Sequence, residues 1–328
     1  MARVLVTGGG GFLGSAIVRR LTERGDSVRV LARGEYPALA AAGVECHRGD
    51  VADRAAVSRA VEGCDAVIHT AAKAGVWGRH EDYVFANVAG TDNVLMACVE
   101  QGVGKLVHTS SPSVTFAGED QEGVDESAAV PDTFLASYPE TKAEAERHVL
   151  AANGPRFATV ALRPHLIFGP GDPHIAPRMI ERAKAGRLRI VGTGRYLVDM
   201  TYVDNAADAH VLALDRLEPG SPIAGKAYFI TNAEPMPIED LVNRILQSAG
   251  LPPCTRHISG GAAYAIGAVL EGAWRLFGLG GEPPMTRFVA RQLGTAHWFD
   301  ITAARRDLGY EPRVSIEEGM ERLGKAPG

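Results

Sequence analysis

The stretch Thr7-Gly8-Gly9-Gly10-Gly11-Phe12-Leu13-Gly14 follows directly on the apolar run Arg3-Val4-Leu5-Val6 and opens a segment of helical period, Phe12–Arg24. Strand, glycine turn and helix in that order make a cradle. The backbone can approach a pyrophosphate there, and the helix N-terminus attracts its negative charge. The run fits G-x-G-x-x-G through Gly9, Gly11 and Gly14, and G-x-x-G-x-x-G through Gly8, Gly11 and Gly14. Further apolar runs follow at Val28–Leu31, Val44–His47, Ala66–Thr70, Lys105–Ser110 and Thr159–Leu162. Helix-period segments at Arg54–Val61, Val84–Gln101 and Glu140–Ala152 lie between them. Continuous β-branched runs joined by helices predict an α/β fold, a doubly wound parallel Rossmann sheet with helices on both faces.

After about Gly169 the pattern changes to short strands (Leu188–Val191, Tyr228–Ile230), helices and many Gly/Pro breaks. The expected division is a dinucleotide-binding domain over residues 1–168 and a smaller mixed substrate-binding domain over 169–328. Residues 200–217, a strand and helix, are expected to cross back into the first sheet. At the end of the second strand stands Ala32-Arg33, where an acidic residue would accept hydrogen bonds from the ribose 2′-hydroxyl of NAD. Ala32 leaves room and Arg33 suits a 2′-phosphate, so the reading favours NADP(H) over NAD(H), with neighbouring Glu35 as the opposing feature. Asp50-Val51, after the third strand, either faces the adenine or supplies a helix cap through Asp50.

The chain has 328 residues, 46% hydrophobic and 22% charged, with a net charge of −5. That is a globular composition, and without a basic run it argues against a nucleic-acid partner. Four cysteines (Cys46, Cys64, Cys98, Cys254) lack metal-ligand spacing, so neither a metal site nor a disulfide framework is expected. The first strand begins at once, with no leader expected ahead of it, and no stretch suits a bilayer span. The expected location is the cytoplasm.

Tyr138-Pro139-Glu140-Thr141-Lys142 places a phenol and an ammonium four residues apart, on one face of a helix. A cation held close favours the phenolate and lowers the phenol's pKa toward working range. With the glycine loop, this pair makes the sequence resemble the extended short-chain dehydrogenase/reductases. The resemblance runs over nearly the whole chain through Asp50, Ala71-Ala72, Asn87-Val88-Ala89-Gly90-Thr91, Thr109-Ser110-Ser111, Leu162-Arg163-Pro164, Phe168-Gly169-Pro170-Gly171-Asp172 and Tyr202-Val203-Asp204-Asn205. Within that family it is most similar to the 3β-hydroxysteroid dehydrogenase-like branch. Within the branch, Ala71–Gly78, Ser111–Thr115, Thr286-Arg287-Phe288 and His297-Trp298 are similar to bacterial reductases that act on 2-alkyl-3-oxoalkanoates in long-chain olefin biosynthesis.

The resemblance implies roles. Tyr138 gives a proton to the substrate carbonyl oxygen as hydride arrives. Lys142 holds the nicotinamide ribose and tunes Tyr138. Ser111, with Ser113 as its competitor, orients the carbonyl. Asn87 either links to Lys142 or is a structural amide that kinks its helix. Gly8, Gly11, Phe12, Leu13, Gly14, Ala71, Ala72 and Pro164 line the cofactor, and a homodimer through the Val84–Gln101 and Glu140–Ala152 helices is expected, with a multienzyme assembly beyond it. A β-oxo acid also needs a cation for its carboxylate. Lys73, Arg79, His80, His165 and Arg178 are candidates, Lys73 foremost because it follows the fourth strand, with Trp77 and Tyr202 as further substrate neighbours. The apolar segment Ala262–Phe288 is a core helix, a lid over an alkyl tunnel, or a surface for lipid or a partner. The expected reaction is NADPH-dependent reduction of a long-chain, lipid-like β-oxo acid. Oxidation of a 3β-hydroxysteroid or sterol-4-carboxylate and nucleotide-sugar epimerisation are the alternatives.

Overall fold

In the computed structural model, which describes residues 2–325, seven parallel strands form the central sheet. Their order is Lys226–Ile230, Ala158–Pro164, Lys105–Thr109, Ala66–His69, Arg3–Thr7, Ser27–Ala32, Glu45–Arg48. The chain order reverses between Arg3–Thr7 and Ala66–His69, the crevice where doubly wound sheets bind ligands. The inner strands are buried on both faces because their side chains alternate between two cores. Val4, Val6, Ile68 and Val107 pack on one side, and Leu5, Val67 and Leu106 on the other.

Three expectations are corrected. Tyr228–Ile230 is not part of a separate cover: it belongs to Lys226–Ile230, the outer strand of the central sheet, in parallel register with Val160–Pro164. The Met200 region divides. Thr201–Tyr202 pairs with Ile167–Phe168 outside the large sheet, whereas the helix Val203–Arg216 packs on the first helix and on the sheet. The segment Val84–Gln101 is not one regular helix, since Val84–Ala89 is π-helical and regular geometry begins at Gly90. Asn87 lies in that wide turn, as π-turns often mark functional sites.

A boundary at residue 168 also fails to separate the sheets. Gln121–Val124, from the first half, joins a four-stranded sheet with Met236–Pro237, Leu197–Val198 and His297–Phe299. This brings the chain's late residues over the crevice. The helix carrying Tyr138 runs from Ser137 to Ala151, with Pro139 in its first turn, where its missing N–H removes no helical bond. Among the described residues no helix is long and apolar enough to cross a membrane. All four cysteines are free, with Cys64 and Cys98 buried and Cys46 exposed.

Candidate active site

A cavity of about 450 Å³ occupies the crevice at the strand-order reversal. Its floor is the glycine loop. Gly8 sits at φ +71°, a left-handed conformation that favours glycine, and a Cβ on Gly14 would lie 2.2 Å from the Gly8 carbonyl oxygen. Gly8, Gly11 and Gly14 line the cavity and Gly9 packs on Val30 instead, so the G-x-x-G-x-x-G spacing is the one that faces it. Gly11 starts the helix with no side-chain cap, leaving first-turn N–H groups free for an acceptor from outside the chain. Ser110 Oγ, also in the wall, is buried without a partner. These features fit a dinucleotide.

Above the loop stand the reacting groups. Tyr138, Lys142, Ser111 and Ser113 all line the cavity, with Ala72 and Pro164. Ser111 Oγ lies 2.9 Å from Ser113 Oγ, and Pro112 begins the short turn Pro112–Thr115 that Ser111 caps. Pro at the first position of such a turn needs no N–H partner, which explains the Ser-Pro-Ser spelling. The helical spacing does bring Tyr138 and Lys142 to one site, but the electrostatics differ from expectation. Burial pushes the Tyr138 phenol above its usual value, and a hydrogen bond with Ser111 offsets part of that. Lys142 points under the helix into the sheet end. Its Nζ donates to the Thr109 carbonyl at 2.6 Å and lies 3.3 Å from His108 Nε2. Burial lowers the ammonium's pKa to about 8, opposed by Glu146, which is itself held by Arg163 at 2.5 and 2.9 Å. Burial likewise holds His69 down at about 3 and His108 well below its ordinary value, with Lys142 as the second influence on both, so the imidazoles around Lys142 are neutral.

Several expected residues lie elsewhere. Lys73 turns outward, its Nζ 3.5 Å from Asp82 and over the Tyr83 ring, and does not line the cavity. Trp77 stacks under Arg275, and Tyr202 packs edge-on against Phe168 beneath Arg322. Asn87 spends its amide on both backbone groups of Lys73 and on Thr141 Oγ1, 3.0 Å away, so it braces the loop and helix rather than touching Lys142. Ala71 lies under Gly8, and neither Arg33, Asp50 nor Val51 reaches the cavity. Asp50 accepts from the Ala52 N–H, Asp53 supplies the cap of the following helix, and Val51 is core. Arg79 and His80 face Glu81 and Glu140 at the surface.

His165 does line the cavity, but both its ring nitrogens are engaged: Nδ1 with Asp199 at 2.6 Å and Nε2 with His297 Nδ1 at 3.2 Å. His297 Nε2 donates to the Gln292 carbonyl, and burial, then His165, lowers the His297 pKa to about 3. Arg178 remains the one expected carboxylate partner in the wall with a guanidinium near solvent; it pairs with Glu282 at 2.8 Å. Sequence reasoning missed Thr70, Phe116, Gln121, Phe288, Gln292 and His297 as cavity residues. Only the Thr286-Arg287-Phe288 and His297-Trp298 segments carried a signal for them.

A glycine cradle facing a half-buried Tyr–Ser pair and a buried Lys across the sheet's reversal point defines a Rossmann-fold oxidoreductase dependent on a nicotinamide dinucleotide. The chain belongs to the 3-beta hydroxysteroid dehydrogenase/isomerase family, whose model matches residues 5–258. It is 54% identical over 323 residues to a 2-alkyl-3-oxoalkanoate reductase of Stenotrophomonas maltophilia, covering 98% of both chains. It is 50% identical to a reductase of the same name from Shewanella oneidensis, covering 98% of this chain and 86% of that one. Among solved structures, a Thermus thermophilus UDP-glucose 4-epimerase in complex with NAD superposes with a TM-score of 0.74 at 27% identity, over 98% of this chain and 97% of that one.

Proposed function

We propose that the protein reduces the 3-oxo group of a 2-alkyl-3-oxoalkanoate with NADPH, giving the 2-alkyl-3-hydroxyalkanoate. The observation that carries the reading is the meeting of Tyr138, Ser111 and Lys142 with the glycine cradle and Arg178 in one cavity, in a chain half-identical to reductases of that name. Bound nicotinamide supplies the hydride to C3. Tyr138, protonated at neutral pH as a phenol and more firmly so for its burial, gives its proton to the forming alkoxide. Ser111 orients the carbonyl oxygen. Lys142 holds the ribose side and adds positive charge where negative charge develops. Arg178 takes the carboxylate, displacing Glu282.

β-Oxo acids decarboxylate readily, so the test runs on the stable product: NADP⁺ reduction with a long-chain 2-alkyl-3-hydroxy acid, against a 3β-hydroxysteroid. Turnover of the steroid alone overturns the reading. Arg178→Ala raises KM about 10- to 100-fold with kcat nearly kept, as loss of a charge-assisted pair of about 1.5–3 kcal/mol requires. Glu282→Gln, removing the competitor, lowers KM. Equal KM values for wild type and Arg178→Ala would exclude Arg178 as carboxylate partner.

For the cofactor, Glu35 pairs with Arg48 at 3.1 Å and leaves Arg33 exposed beside the loop, which supports a 2′-phosphate site. Arg33→Asp is expected to raise KM for the NADP form about 10- to 100-fold and to improve NAD use, read by parallel titrations of the two cofactors. An unchanged preference would discard Arg33 as the selector. The same reading includes a cytoplasmic homodimer associated with other enzymes of olefin formation. Phe85, Met96 and Val99, exposed apolar side chains on the Val84–Gln101 segment, support the dimer.

A further inference from the structure

A second cavity, about 580 Å³, lies beyond the first, between the Ala176–Lys184 helix, the Gly260–Phe277 helix and the two-strand pair of Ile190–Val191 with His257–Ile258. Its volume falls in the range of small-molecule sites, roughly 300–1,000 Å³. Val191, Val242, Ile258, Leu270, Met285 and Leu293 make much of its wall apolar. Two of the arginines at its edge are turned to backbone: Arg182 donates to the Pro284 carbonyl at 2.7 Å, and Arg189 to that of Leu188 at 2.7 Å, while Arg187 also lines it. The cavity adjoins the catalytic one at three points. Arg178 lines both, Gln292 and Leu293 face one each, and Glu282 reaches Gly75 of the catalytic wall, where a Cβ would come within 2.7 Å of its Oε1. The Arg178–Glu282 pair is therefore the partition between the two spaces.

We infer that this second cavity receives the alkyl branch carried on C2 of the substrate, with the Arg178–Glu282 pair as its gate. The inference rests on the proposed β-oxo acid reaction. A 2-alkyl-3-oxoalkanoate has two hydrocarbon chains diverging within two bonds of its carboxylate. The catalytic cavity, about 450 Å³, must also hold the nicotinamide end of the cofactor, so it lacks room for both chains. When the carboxylate takes Arg178 from Glu282, the partition opens beside C2. The carboxylate thus anchors the substrate and admits one chain to the apolar space, which ties chain-length selection to the residues of that cavity rather than to Tyr138, Ser111 or Lys142.

The test fills the cavity with Leu270→Trp and, from a separate wall, Ile258→Trp; Leu270→Phe is the smaller intrusion if either fails to fold. The probes are cis-parinaric acid, a fluorescent long-chain fatty acid, for binding, and a long and a short 2-alkyl-3-hydroxy acid for NADP⁺-dependent turnover. Each methylene kept out of the cavity weakens binding about four-fold, or ~0.8 kcal/mol, so exclusion of three lowers long-chain kcat/KM and parinarate affinity about 50-fold. The short acid, 2-methyl-3-hydroxybutanoate, keeps its kcat/KM. Parinarate bound equally by wild type and folded variants, or long-chain turnover indifferent to both substitutions, overturns the inference and leaves the reaction standing. Cavity-dependent parinarate binding with no turnover of either acid sinks the reaction instead and keeps the cavity as an acyl site.

Discussion

Replacing Tyr138 by phenylalanine is expected to lower kcat for the 3-hydroxy acid and for its reverse by about 10²–10⁴, the usual worth of a positioned general acid or base. The phenol is the acidic O–H of the cavity best matched to the carbonyl. It shares the cavity wall with Ser111, a phenol is protonated at neutral pH and burial raises its pKa further, and the nearby imidazoles His69 and His108 are held neutral by burial. Phenylalanine keeps the ring and its packing and removes one hydroxyl, so folding loses at most about 1.5 kcal/mol, the worth of one hydrogen bond. Cofactor affinity, governed by the glycine cradle and Lys142, should hardly move. Titration of cofactor by intrinsic fluorescence separates the two effects. A variant that turns over within about tenfold of wild type would place the proton on another group, with Ser111 next in line.

Much of this was legible because it is local. The strand–glycine–helix order and the Tyr138 to Lys142 spacing are each written within one turn or one element. What was not legible depends on partners far away in the chain. Lys73 follows the right strand end, but its side chain is claimed by Asp82 and Tyr83, and nothing in its position encodes that direction. His165 reads as a free imidazole until Asp199 and His297, 132 positions away, occupy both nitrogens. Tyr228–Ile230 looked like cover because an outer strand and a cover strand share one composition, and only pairing with Ala158–Pro164 distinguishes them.

The apolar helix is the sharpest case. Val269, Leu276 and Phe277 of Gly260–Phe277 face outward, Ile266 and Leu270 line the second cavity, and its buried face carries Ala263, Gly267 and Glu271, the last bonded to Arg287. Hydrophobic periodicity gives a stripe but not which side the protein covers. Here the core side is small and charged, set by close approach of Gly267 to the Thr286–Arg287 backbone, where a Cβ would sit 2.6 Å away.

Lys142→Met should make the cofactor-free protein more stable while lowering kcat/KM by at least about 10²-fold, since a fixed cation opposite developing negative charge is worth that much. Burial is the reason for the first effect. The ammonium is 2% exposed, and its pKa falls from 10.5 to about 8 on folding. The unfolded chain therefore holds this proton more tightly than the folded one. A depressed lysine lowers stability at every pH below about 8, and the deficit fades as pH rises from there toward 10.5. The shift corresponds to roughly 3 kcal/mol at neutral pH; losing the bond to the Thr109 carbonyl takes back a part, leaving a net gain of about 1–2 kcal/mol. Methionine matches the stem in length and is adaptable in irregular packing. Thermal unfolding of both proteins at several pH values reads the sign: the gain should be present at pH 7 and absent near 10.5. A gain that persists unchanged at the higher pH would mean that packing, not charge burial, is responsible. A loss at all pH values would mean that the contacts with Thr109 and His108 outweigh desolvation, and that Lys142 holds the sheet end together as well as serving the reaction.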